Sequence, residues 1–240
     1  MIKPLLKSIT GRVLIEAHRG AEKLAPENSW RALNLGHASG ADLLEVDVQL
    51  SADGVAFLHH HSTLPDGREC CDVTWNELTE VRIANELLPK LQDVLTWARD
   101  VQACLALDLK TSSTPENKLA DEVVRLIEQT DTANQVMLIA WDHGELQRVK
   151  RAHPEIATRP LIRGRLIDLP GLVRAVGADC VPLSYGIMRP GDVQEMHAMG
   201  VAVVLADLWK FDIDFVKNSG VDMVSWGNPV EAKRGLYESQ

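Results

Sequence analysis

Four places in this 240-residue chain gather residue types that can do chemistry: His18-Arg19-Gly20, Glu45-Val46-Asp47, His59-His60-His61 and Asp108-Leu109-Lys110. Glu45 and Asp47 are two residues apart, so on a β-strand both side chains project from the same face. Asp108 joins them if it ends a neighbouring strand. Three carboxylates aimed at one point repel each other unless a hard cation sits among them, and Mg²⁺ or Ca²⁺, which prefer oxygen ligands, suits that place. Spacing alone leaves a second reading open, in which Glu45 and Asp47 form plain ion pairs with Lys110 and Arg19. Histidine serves as acid and as base near neutral pH. A lone histidine at a strand end is usually a satisfied polar residue, but two from separate strand ends beside a carboxylate cluster suggest more. His37, His143, His153 and His197 fall in helical stretches and are read as ordinary.

The elements that must position these residues alternate along the chain. Eight short runs rich in Val, Leu and Ile predict strands: Val13–His18, Leu43–Val48, Cys104–Leu109, Val136–Trp141, Thr158–Ile162, Asp179–Leu183, Val201–Ala206 and Asp222–Trp226. They lack strict alternation, as parallel strands covered on both faces do. Between them lie helical patterns such as Leu91, Val94, Leu95, Ala98 and Leu119, Val123, Leu126, Ile127. Gly40, Gly177, Gly200 and Gly220 stand where left-handed helix caps belong. Eight βα units predict an α/β fold, a closed (β/α)₈ barrel forming a single domain over residues 1–240, with its chemistry at the C-terminal strand ends. The irregular stretch His59–Pro89, between the second and third strands, reads as an excursion over the active face, with a turn at Pro65-Asp66-Gly67 and a helical piece around Trp75–Ile83.

Composition narrows the partners. The net charge of −9, with no basic stretch, disfavours nucleic acid and anionic membranes. A small anionic substrate stays compatible, because a cation in a cleft dominates the local field. No segment approaches the length of an apolar membrane span, the first ten residues do not resemble a signal peptide, and the four cysteines (Cys70, Cys71, Cys104 and Cys180) lack zinc-site spacing. Reduced thiols, a cytoplasmic location and no membrane insertion follow as expectations; self-association is left open.

The ordered set Glu16-Ala-His18-Arg19-Gly20, Ala25-Pro26-Glu27-Asn28-Ser29, Glu45-Val46-Asp47-Val48, Ser51-Ala-Asp53-Gly54 and His60 followed by Thr63-Leu64 closely resembles the glycerophosphodiester phosphodiesterase family. Leu88–Leu95, Leu107-Asp108-Leu109-Lys110 and Gly220-Val221-Asp222 fit its downstream pattern. The resemblance spans nearly the whole chain and is densest over residues 16–64. It implies a barrel that hydrolyses a small soluble phosphodiester with a divalent metal. His18 and His60 look like the general acid/base pair, Glu45, Asp47 and Asp108 like the metal ligands, Arg19 like a contact to the phosphate, and Lys110 like a second cation over it. Glu27 and Asn28 would brace the site, Asn28 also as the cap of the first helix.

The sequence departs from the family in three ways. Asp108 stands where glutamate is usual; the related sphingomyelinase D barrels resemble this chain at that point but lack the Pro-Glu-Asn segment. His60 is followed by His61 where aspartate is usual, so the catalytic register lies among His59, His60 and His61, with Ser62-Thr63-Leu64 favouring His60. The excursion is short and lacks an Arg-Thr-Thr stretch that shapes the alcohol pocket. Trp141, Trp209 and Trp226, with Tyr185, fall at or beyond strand ends and could stack on a sugar, pointing to a sugar phosphodiester of the agrocinopine opine type, although core or rim packing accounts for them equally. A sphingomyelinase D-like phospholipid phosphodiesterase and a non-catalytic phosphoryl-ligand binder are the competing readings. The first would need an exposed apolar or basic patch, and retention of His18, His60, Glu45, Asp47 and Lys110 speaks against the second.

Overall fold

The structure is a computed structural model that describes residues 2, 4–111, 118–208 and 210–238. Eight parallel strands form the barrel wall: β1 (Leu14–Ala17), β2 (Leu43–Leu50), β6 (Leu105–Leu109), β7 (Val136–Ala140), β8 (Ala157–Pro160), β9 (Cys180–Ser184), β10 (Ala202–Ala206) and β11 (Met223–Trp226). The sheet runs β8-β7-β6-β2-β1-β11-β10-β9. Its two ends meet where the Asp179 N–H donates to the Thr158 carbonyl at 3.0 Å. All eight predicted strands are present within a few residues.

Each strand buries both faces, which is why its sequence lacks the polar alternation of a one-sided sheet. One set of side chains faces the helices: Val46, Leu105, Leu107, Leu138, Val181, Val203 and Val224 pack there with Leu91, Leu95, Val123 and Ile127. The alternate set fills the barrel: Leu14, Leu43, Ala106, Met137, Ala157, Cys180, Ala202 and Met223 form an apolar plug, closed below by Ile2 and Leu5. Towards the C-terminal ends the inward positions turn polar, with Glu16, Glu45, Asp47, Asp108 and Arg159 all buried. This polar layer therefore sits on a packed apolar floor, where side chains do not drift.

A short helix α1 (Lys7–Thr10) precedes β1, and the crossover helices are α2 (Trp30–Ala38), α4 (Leu91–Val101), α5 (Lys118–Thr130), α6 (His143–Ala152), α7 (Leu169–Val176), α8 (Asp192–Ala198) and α9 (Ile213–Ser219), followed by the terminal α10 (Pro229–Tyr237). No helix among the described residues is long and apolar enough to cross a membrane.

The stretch after β2 is more ordered than its sequence suggests. A short strand, β3 (Ala56–Leu58), folds back antiparallel on β2 with Val48 opposite Leu58 and Leu50 opposite Ala56. The excursion then has its own small core of Phe57, Leu64, Cys70, Val73, Leu78 and Leu88. The predicted helical piece shortens to α3 (Trp75–Leu78), whose capping box joins Thr74 and Glu77. A two-stranded ribbon of β4 (Arg82–Ile83) and β5 (Glu86–Leu87) replaces its C-terminal part.

Candidate active site

Residues 18–20 leave β1 in a 3-10 turn containing a strained position: Arg19 has φ 48 and Gly20 φ 86. A non-glycine residue held in the left-handed region costs energy that the surroundings must supply. They do so through backbone: the Arg19 N–H donates to Glu45 Oε2 at 2.8 Å, and the Asn28 N–H to the Arg19 carbonyl at 3.1 Å. Helix α2 buttresses the turn from behind, so closely that a methyl group on Gly36 would overlap the carbonyl oxygen of Gly20.

The turn presents His18 and Arg19 to the strand ends. Glu45, Asp47 and Asp108 offer carboxylate oxygens that all lie within 4.8 Å of one another. The i, i+2 reading of Glu45 and Asp47 therefore matches, and the register of β2 with β6 sets Asp47 directly opposite Asp108. Lys110 Nζ lies 2.7 Å from Asp47 Oδ1 and 2.5 Å from Asp108 Oδ2, and Arg19 Nε lies 3.4 Å from Asp47 Oδ2. The carboxylates thus converge and are ion-paired in one and the same cluster.

Two features show that the donor set suits a cation. Asp108 Oδ1 is buried with no hydrogen-bond partner. Burial, with Asp47 and Asp108 beside it, pushes the Glu45 carboxyl well above the usual range, and burial raises Asp108 too. An all-oxygen set of this kind suits a hard divalent cation rather than a soft metal.

Asn28 is not a helix cap. Ser29 is, accepting the Ala32 N–H at 3.1 Å. Asn28 itself takes a left-handed φ of 56 and clamps Asp47: its Nδ2 donates to Asp47 Oδ2 at 2.8 Å, and its Oδ1 accepts the Asp47 backbone N–H at 2.9 Å. Glu27 holds the Arg19 guanidinium at 2.5 Å.

His18 Nδ1 meets Glu22 Oε1 at 2.9 Å, and its Nε2 lies 3.9 Å from Glu45 Oε2. Burial opposes its charged form, but Glu45 and Glu22 outweigh burial and push it up to about 9. In the triple histidine, His59 is buried, with Nε2 on the Thr63 carbonyl at 3.1 Å. His61 is exposed. His60 is half-buried with Nδ1 unpartnered, and burial pushes it below the usual histidine range. β3 and the contact of the His59 N–H with the Asp47 carbonyl at 3.1 Å fix this segment beside the cluster.

The cluster opens into a pocket of about 260 Å³ lined by His18, Glu45, Asp108, Ile139, Val204 and Trp226, among others. Trp226 is 6% exposed. Trp141 is not among the lining residues; it follows the end of β7, 48% exposed, with the Arg163 guanidinium 5.3 Å from its ring centroid. Tyr185 is tied to Asp212 at 2.8 Å, and Trp209 lies outside the described residues.

One buried group in the pocket, Arg159, was not legible in the sequence as a site residue. Arg159 donates through Nη1 and Nη2 to Glu16 at 2.7 and 3.1 Å, across the barrel from β8 to β1. Arginine in an apolar strand was the available signal, but only folding reveals its partner. His143 and His197 serve structure, bonding the Leu161 carbonyl and the Asp222 carboxylate. The four cysteines are free.

Fold and site together define a (β/α)₈ barrel with an acidic cluster, two histidines and two cations at the C-terminal ends of its strands. The sequence profile of the glycerophosphoryl diester phosphodiesterase family matches residues 18–226, and the chain belongs to that family. Glycerophosphodiester phosphodiesterase 1 of Bos taurus is 30% identical over 252 residues, covering 95% of this chain and 75% of that protein. The glycerophosphodiester phosphodiesterase of Caldanaerobacter subterraneus subsp. tengcongensis is 23% identical over 242 residues, 87% of this chain and 100% of that one. Among solved structures, an Oleispira antarctica phosphodiesterase in complex with the product sn-glycerol-3-phosphate superposes with a TM-score of 0.85 at 20% identity, covering 95% of this chain and 98% of that one, a likeness of fold.

Proposed function

We propose that this protein is a metal-dependent phosphodiesterase that hydrolyses small glycerophosphodiesters to an alcohol and a phosphomonoester. The carrying observation is the convergence of Glu45, Asp47 and Asp108 within 4.8 Å at the mouth of the barrel, flanked by two histidines and two cations. Glu45, Asp47 and Asp108 would hold Mg²⁺ or Ca²⁺. A bound divalent ion supplies charge neutralisation at the phosphoryl oxygens.

The protein's own residues do the rest. Arg19 and Lys110 bind the phosphoryl oxygens and offset the charge that shifts onto them in the transition state. His18 stands between Glu45 and Glu22, two carboxylates that favour its protonated form, and acts as the acid that protonates the departing alcohol. His60 is kept neutral by burial, with Arg19 and Lys110 adding to it against the pull of Asp47, and acts as the base on the attacking water, or on a substrate hydroxyl that would first close a cyclic phosphate for water to open. Glu22 orients His18 through Nδ1, and Asn28 holds Asp47.

Calorimetric titration with Mg²⁺ and with Ca²⁺ tests the metal site. Wild type is expected to bind one ion, and Asp108→Asn to show no measurable binding while staying folded. Equal affinity in the two proteins would refute the ligand assignment.

A further inference from the structure

Lys23 lines the pocket into which the carboxylate cluster opens. Its ammonium lies 3.1 Å from the centroid of the Trp226 ring, and both residues line the pocket. The backbone holds it there. The Lys23 N–H donates to the Gly227 carbonyl at 3.0 Å. A side chain on Gly227 would meet Lys23 Cγ at 3.0 Å and Glu22 Cγ at 2.8 Å, so only glycine lets residues 22–23 lie against the end of β11. The ring is fixed as well: Trp226 Nε1 donates to Glu231 Oε2 at 2.7 Å, and Phe211 packs against it with centroids 5.6 Å apart. The carboxylates beside them are engaged elsewhere, Glu22 with His18 and Asp207 with the Ser184 hydroxyl.

An aromatic face lining a pocket is where a quaternary or primary ammonium group is recognised. Here that place is already filled by the protein's own cation. We infer that Lys23 is a specificity-determining residue: it occupies the cation-accepting face of Trp226 and so excludes diesters whose alcohol half ends in choline or ethanolamine, in favour of uncharged polyol halves. The inference rests on the pocket being a phosphodiester site. A cationic headgroup must either displace the ammonium, losing the contact with the ring, or sit beside it against like-charge repulsion. A glycerol or inositol half meets neither obstacle, and Ser225 in the same wall offers it a hydroxyl. Contacts of this class correspond to a discrimination of roughly tenfold.

The test compares kcat/KM for glycerophosphocholine and glycerophosphoglycerol in wild type, Lys23→Gln and Lys23→Met. The choline-to-glycerol ratio is expected to rise about tenfold in both variants. In parallel, choline chloride alone is titrated while the indole N–H of Trp226, assigned with Trp226→Phe, is followed by NMR. The signal should shift in Lys23→Gln and stay fixed in wild type. An unchanged ratio overturns the inference, as does an equal fall for both substrates, which would make Lys23 a phosphate anchor. If wild type cleaves neither diester, the phosphodiesterase reading fails by itself. The choline titration needs no turnover and then decides: a shift confined to the variant upholds the exclusion, and no shift removes it.

Discussion

Asp47 is the residue through which the site is held together. Its backbone N–H and one carboxylate oxygen are taken by Asn28, its other oxygen by Lys110, and Arg19 approaches from the side. Groups that orient a metal ligand typically contribute 10–100-fold in affinity. Asn28→Ala should therefore weaken Mg²⁺ binding by about that factor, measured calorimetrically, with a smaller effect on fold stability. Unchanged affinity would show that Asp47 needs no clamp. The types and spacing of Glu45, Asp47 and Asp108 made the cluster legible in the sequence, because strand periodicity dictates which side chains share a face. The role of Asn28 was not legible in the same way. Asn and Ser are both good helix caps, and only the left-handed backbone at Asn28 turns its amide towards β2 and leaves the cap to Ser29.

At the scale of elements, the apolar runs that predicted eight strands did so because each strand is buried on both faces. Gly40, Gly177, Gly200 and Gly220 do adopt positive φ at helix ends. β3 escaped notice because three residues carry too little pattern, yet it is what brings His60 next to Asp47. The packing of α2 on the His18–Gly20 turn is another link that sequence does not announce. A methyl group at residue 36 collides with the Gly20 carbonyl, which cannot retreat without moving Arg19. Gly36→Ala should cost about 1–3 kcal/mol. Each kcal/mol lowers Tm by roughly 2–4 °C in a domain of this size, and activity should fall further than stability because the displaced turn carries two site residues. A variant with wild-type Tm and rate would refute that coupling.

The whole molecule is a barrel closed around a polar layer resting on an apolar plug. Glu16 and Arg159, 143 residues apart, span that layer as a buried ion pair. Such a pair is costly to break and cheap to replace: removing one partner costs about 3–5 kcal/mol, whereas well-packed apolar substitutes are often neutral. Urea unfolding should find Glu16→Gln destabilised by about that amount and Glu16→Met/Arg159→Met close to wild type. If the double variant were as unstable as the single one, the pair would be essential to closure rather than replaceable.

The central claim is that these residues cleave a phosphodiester with a divalent ion. ³¹P NMR of a glycerophosphodiester incubated with the protein and Mg²⁺ or Ca²⁺, then with EDTA, and with His18→Ala in parallel, tests it most directly. The expected result is conversion of the diester signal to a phosphomonoester signal, stopped by EDTA and absent in the variant. Persistence of the diester signal with wild type and metal, or conversion that proceeds undiminished in His18→Ala, would contradict the account.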